Sequence, residues 1–152
     1  MPELHRGSRL RQGRYSEPGR VYLLTSVTHH REPVFSDWRL GRLMVNEFRK
    51  AQDQAMVNSL AWVVMPDHFH WLVELRSGNL SDLMRKVKTG SALAVTKEKG
   101  ESSRVWQKGY HDRAVRREED LLQMARYIVA NPIRAGLVTR YGDYPLWDAI
   151  WL

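Results

Sequence analysis

Two apolar runs separated by only two residues constrain the fold of this chain most strongly. Leu60–Met65 and His68–Leu75 are rich in β-branched and aromatic residues, and only Pro66 and Asp67 stand between them. Proline followed by aspartate favours a tight turn, and two strand-like runs joined by such a turn predict a β-hairpin. The chain is therefore expected to contain an antiparallel sheet with this hairpin inside it.

Three other stretches show the apolar periodicity of amphipathic helices. Each stretch begins beside residues that are favourable at a helix N-terminus. The third begins with acidic residues, whose negative charge interacts favourably with the positive N-terminal end of the helix dipole. The third helix is expected to end at Asn131, because Pro132 follows it. The predicted helices begin after Asp37, after Asn79 or Ser81, and at Glu118.

Two further segments have strand character, Val21–Thr28 and Val105–Val115, the second with a loop around Lys108 and Gly109. The predicted order is β-α-β-β-α-β-α, whose first six elements form the split βαβ, or ferredoxin-like, pattern. We therefore expect an α+β fold: an antiparallel sheet with helices on one face, followed by a C-terminal helix. Because many activities share this fold, function has to be inferred from the site.

Composition indicates one globular domain whose basic charge suits a polyanionic partner, although ribosome-associated proteins and some enzymes have a similar charge. The chain has 152 residues, and 24 Lys and Arg against 17 Asp and Glu give a net charge of +7, which suits nucleic acid. Cysteine is absent, which excludes disulfides, thiolate zinc sites and a cysteine nucleophile. No run has the length of a membrane span or the pattern of a signal peptide, so we expect a cytoplasmic location.

The chain divides into three parts by composition. Residues 1–20 form a basic, turn-rich arm, residues 21–140 form the domain, and residues 141–152 form an aromatic tail that is expected to pack on the domain. The arginines of the arm are Arg6, Arg9, Arg11, Arg14 and Arg20.

His68 and His70 are the strongest candidates for chemistry. Residues i and i+2 of a strand point to the same face, so both imidazoles project together while Phe69 faces the other side. Two imidazoles on one face supply half of a divalent-metal site, and Asp67 can orient one of them. The alternative is that both histidines merely belong to the polar face of a half-exposed strand.

Tyr127 and Asn131 form a second candidate pair. At i and i+4 on the third helix they share one face, one turn apart. A tyrosine hydroxyl can attack phosphorus, and an asparagine carbonyl can bind a metal or contact DNA. From these two residues alone, however, the better interpretation is a core tyrosine and a helix-ending asparagine.

Other candidates are weaker. His29 and His30 are adjacent, so they suit a loop better than a chelate, and His111 with Asp112 resembles a surface pair. The sequence has no glycine-rich phosphate loop, no serine nucleophile elbow and no zinc-finger spacing.

Three motifs together resemble the REP-associated tyrosine transposases, single-tyrosine transposases of insertion sequences with an HUH motif. The similarity runs through about residues 20–140. The motifs are Met-Pro-Asp-His-Phe-His-Trp-Leu (65–72), Trp-Gln-Lys-Gly-Tyr-His-Asp-Arg (106–113) with Arg-Arg-Glu-Glu-Asp (116–120), and Ala-Arg-Tyr-Ile-Val-Ala-Asn-Pro-Ile-Arg-Ala-Gly-Leu-Val (125–138).

The resemblance implies a role for each candidate residue. His68 and His70 match the metal-binding pair, Tyr127 matches the nucleophile, and Asn131 matches a third polar metal contact. The metal would be Mg²⁺ or Mn²⁺. The arm and the second helix would hold the DNA; the predicted contacts are Arg6, Arg9, Arg11, Arg14, Arg85, Lys86 and Lys88.

The implied activity is a metal-dependent single-strand DNA endonuclease and strand transferase of bacterial DNA. It would act on hairpin-forming repeats through a 5′-phosphotyrosine intermediate, as a monomer or a homodimer. Two alternatives stay open: a non-catalytic nucleic-acid binder on the same fold, and a metal-dependent hydrolase of small phosphate esters. A covalent protein–DNA adduct would separate all three.

Overall fold

A computed structural model describes residues 16–151 of the chain. Within this range lie five strands and three helices, with short 3-10 turns at 29–31, 34–36 and 141–143. The strands are Val21–Val27 (β1), Val57–Met65 (β2), His68–Leu75 (β3), His111–Val115 (β4) and Trp147–Ala149 (β5). The helices are Trp38–Asp53 (α1), Leu80–Lys99 (α2) and Glu118–Arg134 (α3).

The strands form one antiparallel sheet in the order β4-β1-β3-β2-β5. The hairpin of β2 and β3 lies at its centre, because β1 pairs with the other edge of β3. In this register His70 lies between Thr25 of β1 and Val63 of β2. The α+β, ferredoxin-like prediction is confirmed.

The two faces of the sheet carry different helices. On one face, the ring of Phe48 from α1 packs 5.2 Å from Phe69 and 4.4 Å from Trp71, and α2 packs beside α1. Since His68 and His70 alternate with Phe69 and Trp71 along β3, they point to the opposite face. Helix α3 lies on that opposite face against β2 and β3, as the predicted separate C-terminal helix.

The ends of α1 and α2 follow local rules that the sequence shows directly. The side chain of Asp37 accepts a hydrogen bond from the backbone N–H of Arg39, and that of Asn79 accepts one from Asp82. Gly100 ends α2 with a φ of 75°, in the left-handed region where glycine has no steric penalty.

Two predicted boundaries were wrong. Only residues 111–115 of the predicted strand 105–115 form a strand, and Trp106 makes an isolated bridge to Thr28, because residues 107–110 turn toward α2. Helix α3 continues past Asn131 to Arg134 with Pro132 inside it. A proline in the last turn removes one backbone hydrogen bond, and the flanking carbonyl of Asn131 still accepts one from Ala135.

The C-terminal residues add to the sheet. β5 pairs with the free edge of β2, and Tyr144 and Leu146 are buried beside it. The hydroxyl of Tyr144 donates a 2.6 Å hydrogen bond to the carbonyl of Val64, which attaches the segment near the C-terminal end of β2.

Arg6, Arg9, Arg11 and Arg14 of the predicted arm lie outside the described residues. Among residues 16–151, the structure contains no helix that is both long enough and apolar enough to cross a membrane.

Candidate active site

His68 and His70 lie side by side on the α3 face of the sheet, with ring centroids 4.9 Å apart. Each ring is oriented through its Nδ1. The Nδ1–H of His68 donates to Asp67 Oδ1 at 2.7 Å, and Nδ1 of His70 lies 2.7 Å from the hydroxyl of Thr25. When Nδ1 carries the proton in both rings, both Nε2 atoms keep a free lone pair, which is the tautomer that a metal requires.

Asp67 is held by a second partner, Arg31. The guanidinium of Arg31 donates to Asp67 Oδ2 at 2.8 Å. Burial alone would raise the pKa of Asp67, but the hydrogen bonds from His68 and Arg31 outweigh it and lower the pKa below its ordinary value. Arg31 and its neighbour His30 have φ values of 52° and 55°, which are uncommon for residues with a Cβ, so the turn holds an unfavourable backbone to place this guanidinium.

The ring of His70 is partly buried beside Tyr127. Burial lowers its pKa to about 4, and the nearby positive charges of a protonated His68 and of Arg134 add to the effect. The imidazole of His70 is therefore neutral at physiological pH, as a metal ligand must be.

Tyr127 points from α3 toward this histidine pair. Its ring centroid lies 5.9 Å from that of His70, and the side chain is 48% exposed. The neighbours Ile128 and Val129 are buried against the sheet, so helix packing turns Tyr127 outward to the rim of the site. The interpretation of Tyr127 as a core residue is therefore wrong.

A cation lies directly over the ring of Tyr127. The guanidinium carbon of Arg134 is 4.0 Å from the ring centroid, and the same group donates a 2.8 Å hydrogen bond to the carbonyl of Tyr127. Arg134 lies two turns beyond Tyr127 on α3. Its guanidinium therefore contacts both the face of the Tyr127 ring and the backbone carbonyl of the same residue. Sequence reasoning included Arg134 in a motif but assigned it no role.

Asn131 lies one turn beyond Tyr127 on α3 and is partly buried. The structure places it near the tyrosine by helix spacing, and no hydrogen bond joins its side chain to either histidine. Within residues 16–151, no cluster of three or more His, Asp or Glu side chains forms a metal site. The predicted metal set of His68, His70 and Asn131 therefore stays a prediction.

A groove of about 740 Å³ opens between β4 and α3 and ends at His70 and Tyr127. Sequence reasoning missed it, since it depends on where α3 crosses the sheet. Its first wall, formed by β4 and the two residues that connect β4 to α3 (the β4 wall), carries exposed arginines. Its α3 wall carries polar side chains in helical phase with Tyr127. These residues are Arg113, Arg116 and Arg117 on the first wall, and Asp120 and Gln123 on the second.

The predicted DNA contacts on α2 lie on the other face of the sheet. Arg85 pairs with Asp82 at 2.6 Å, and Lys86 donates to the side chain of Gln54. Lys88 differs from these two exposed side chains. It is partly buried, and its ammonium donates hydrogen bonds to the backbone carbonyls of Gln107 and Gly109.

Burial, with a smaller effect from Arg104, lowers the pKa of Lys88 to about 8. Lys88 therefore holds the loop that follows α2, and its predicted role as a DNA contact stays a prediction. Arg85 and Lys86 stay predictions.

Comparison with known proteins identifies the family. The family profile "Transposase IS200 like" matches residues 20–131, which include both histidines, Tyr127 and Asn131. The chain belongs to this transposase family. The resemblance of the sequence motifs to transposases of insertion sequences is thereby confirmed at the level of the family.

Individual relatives agree with this assignment. A REP-associated tyrosine transposase candidate of Haemophilus influenzae is 27% identical over 143 residues, covering 84% of this chain and 78% of that protein. The REP-associated tyrosine transposase of Escherichia coli is 30% identical over 87 residues, covering 56% of this chain and 50% of that protein.

Two solved structures share the fold. A REP-associated tyrosine transposase bound to a REP hairpin superposes with a TM-score of 0.71 at 24% identity, covering 88% of this chain and 78% of that chain. A transposase candidate from Deinococcus radiodurans superposes with a TM-score of 0.55 at 22% identity, covering 76% of this chain and 93% of that one.

Proposed function

We propose that this transposase is a single-strand DNA endonuclease and strand transferase that acts on hairpin-forming repeat DNA. One observation carries the proposal: Tyr127 is exposed, and its ring lies 5.9 Å from a neutral, oriented histidine of the predicted metal pair. The structural neighbour that is bound to a REP hairpin supports a hairpin as the DNA partner.

The residues present fit a divalent metal, because two imidazoles with engaged Nδ1 atoms leave two Nε2 donors on one face. His68 and His70 would hold Mg²⁺ or Mn²⁺, with the carboxamide of Asn131 as a third ligand. The bound ion supplies positive charge that polarises the scissile phosphate.

Tyr127 supplies the nucleophile. Its Oη forms a bond to phosphorus while the bond from phosphorus to the 3′-oxygen breaks. The phenol proton leaves to solvent, and the departing 3′-oxygen gains one, so the step is balanced and yields a 5′-phosphotyrosine and a free 3′-OH. Attack by another 3′-OH reverses the step and joins strands without ATP, since the phosphodiester energy is kept in the protein–DNA bond.

Arg134 assists from the face of the ring. Its guanidinium fixes the orientation of Tyr127 and adds positive charge beside the attacked phosphate. A half-exposed phenol thus acts in a rigid, cationic setting rather than as a mobile surface group.

The decisive experiment detects the covalent adduct. Hairpin DNA with randomised single-stranded flanks, labelled at either end, is incubated with the protein and Mg²⁺ or Mn²⁺ and run on a denaturing gel. We expect the 3′-labelled fragment to stay on the protein and the 5′-labelled fragment to be released. Excess chelator, or either of the variants His68→Ala and His70→Ala, should abolish both the covalent adduct and the release of the 5′-labelled fragment.

The variant Tyr127→Phe removes only the nucleophilic oxygen. Hairpin affinity should stay within about twofold while the adduct disappears, because the ring still packs under Arg134. Tyr141→Phe is the matched control, since Tyr141 is equally exposed at 49% and lies outside the site. Hairpin binding by the wild type without any adduct would indicate the non-catalytic binder, and turnover of small phosphate esters without an adduct would indicate the hydrolase.

A further inference from the structure

We propose that the groove between β4 and α3 holds the single-stranded flank of the DNA and reads its bases. In this arrangement Arg113, Arg116 and Arg117 bind the phosphates, and Asp120 and Gln123 contact the bases next to the cleaved bond. The inference rests on the proposed function, because it places the strand that Tyr127 attacks.

The position of the groove supports this path. Arg113 pairs with Leu23 in the sheet register, and Leu23 and Thr25 lie on the same face of β1. Arg113 therefore projects from the face that carries His70. The groove runs from this strand edge along α3 to His70 and Tyr127, so a strand lying in it reaches the nucleophile without bending around the protein.

The charges of the two walls differ in a way that orients a nucleotide. The β4 wall presents three exposed guanidinium groups, of which that of Arg117 also lies 3.6 Å from the carboxylate of Glu119. Guanidinium groups attract phosphates and can bind them with two parallel hydrogen bonds. The α3 wall presents the carboxylate of Asp120, which repels phosphates. A strand in the groove therefore places its backbone toward β4 and its bases toward α3.

The chemistry of the α3 wall suits base recognition. Gln123 lies about one turn and Asp120 about two turns before Tyr127, on the side of α3 that faces the groove. A carboxylate accepts a hydrogen bond from a base amino group such as that of cytosine, and a glutamine amide can pair with adenine. Leu23 and Met124 supply apolar surface against which a base can lie.

The test uses the full chain and hairpin DNA with randomised single-stranded flanks. Adducts formed by the wild type and by Asp120→Asn and Gln123→Ala are isolated, and the attached strands are sequenced. We expect the flank preference near the cleaved bond to fall by about tenfold in each variant, as for loss of one base-specific pair. Glu118→Gln is the matched control, because Glu118 is exposed on the same helix but outside the groove.

The arginines are tested by binding, in the Tyr127→Phe background. Affinity for the hairpin with its flank is compared with affinity for the hairpin alone, at several salt concentrations. Replacing Arg113, Arg116 and Arg117 by glutamine should remove the contribution of the flank and reduce the salt slope by about 0.7 for each lost phosphate contact. Arg126→Gln, an exposed arginine of α3 outside the groove, should change neither quantity.

The outcomes separate the two proposals. If the wild type forms no adduct and yet these arginines govern flank affinity, the proposed cleavage fails while the strand-binding role of the groove holds. If adducts form with unchanged flank preference in Asp120→Asn and Gln123→Ala, and the arginine variants bind the flank normally, the groove proposal is overturned and the cleavage proposal is not.

Discussion

At the scale of single residues, the site combines a neutral histidine with an exposed tyrosine that a cation holds in place. Arg134 provides the first prediction, because its guanidinium touches the ring of Tyr127. Arg134→Gln should slow single-turnover adduct formation by about 10²-fold, the effect of losing one group that stabilises developing charge. Hairpin affinity should stay nearly unchanged, since in the proposed mechanism the group acts at the reacting bond.

Two comparisons make the Arg134 prediction specific. Arg134→Lys keeps the charge but loses the planar contact with the ring, so it should recover part of the rate. Arg126→Gln removes an arginine next to Tyr127 in sequence but on another side of α3, and should have no effect. An unchanged rate in Arg134→Gln would mean that the arginine only packs on the helix.

His70 provides a prediction about stability and pH. An unfolded histidine gains a proton near pH 6.5, whereas burial lowers the pKa of folded His70 to about 4. Between these values the unfolded state binds more protons, so the free energy of unfolding should fall as pH drops from about 6.5 to 4. The contribution of this partly buried group is of the order of 2–3 kcal/mol.

The measurement is urea unfolding of the protein in chelator across this pH range. His70→Gln cannot gain the proton, so the difference in stability between wild type and variant should change across that window. His111→Gln, which alters an exposed histidine on β4, should parallel the wild type. A constant difference between wild type and His70→Gln would contradict the prediction.

At the scale of elements, β5 is a strand of only three residues that depends on contacts from the preceding segment. The hydroxyl of Tyr144 donates to the carbonyl of Val64, and burial raises the pKa of Tyr144 to about 12, so the phenol stays protonated as a donor. Tyr144→Phe leaves this buried carbonyl without that partner and should reduce the free energy of unfolding by about 1–3 kcal/mol.

Denaturant unfolding checks this prediction, with Tyr141→Phe as the exposed control that should stay within about 0.5 kcal/mol of the wild type. Equal stability of Tyr144→Phe and the wild type would show that the segment is held by burial of its apolar side chains alone.

Local patterns were sufficient for most elements. The hairpin follows from two strand-like runs around Pro66 and Asp67, and the capped starts of α1 and α2 follow from Asp37 and Asn79. The prediction that both histidines lie on one face required only that side chains two residues apart in a strand point to the same side. These features depend on neighbours in sequence, which is why the sequence alone predicts them.

The features that were missed depend on contacts distant in sequence. Val105–Tyr110 contains strand-forming residues, but only its first part bonds to the end of β1. The carbonyls of Gln107 and Gly109 bind Lys88 instead, so the pairing is interrupted before β4. The stacking of Arg134 on Tyr127 and the groove beside α3 likewise require the tertiary path of that helix. β5 has only three residues, which are too few to show the alternation of apolar and polar residues typical of a strand.

At the scale of the whole molecule, the net charge of +7 is distributed over two faces of the sheet and the N-terminal arm. The arginines of the groove lie on the α3 face, while Arg85 and Lys86 lie on the side of α1 and α2. Under the proposed function, the site face would hold the strand to be cut, and the other cationic residues would hold the stem of the hairpin.

The last prediction concerns the arm. Deleting residues 1–14 removes four arginines and one glutamate, so the net charge falls from +7 to +4. The salt slope for hairpin binding should become shallower by up to about 0.9 for each arginine that contacts a phosphate of the stem. Because arginine can also pair with a guanine edge, preference for the cognate hairpin over a scrambled one should fall as well.

Binding titrations of the full-length and shortened proteins, each carrying Tyr127→Phe, give both quantities. A full-length protein with Arg6, Arg9, Arg11 and Arg14 replaced by lysine separates them, because lysine keeps the charge but lacks the planar fork that reads guanine. We expect this variant to keep the salt slope and lose the preference. If the shortened protein kept the same preference and slope as the full-length protein, the arm would have no part in recognition, and the described domain alone would select the hairpin.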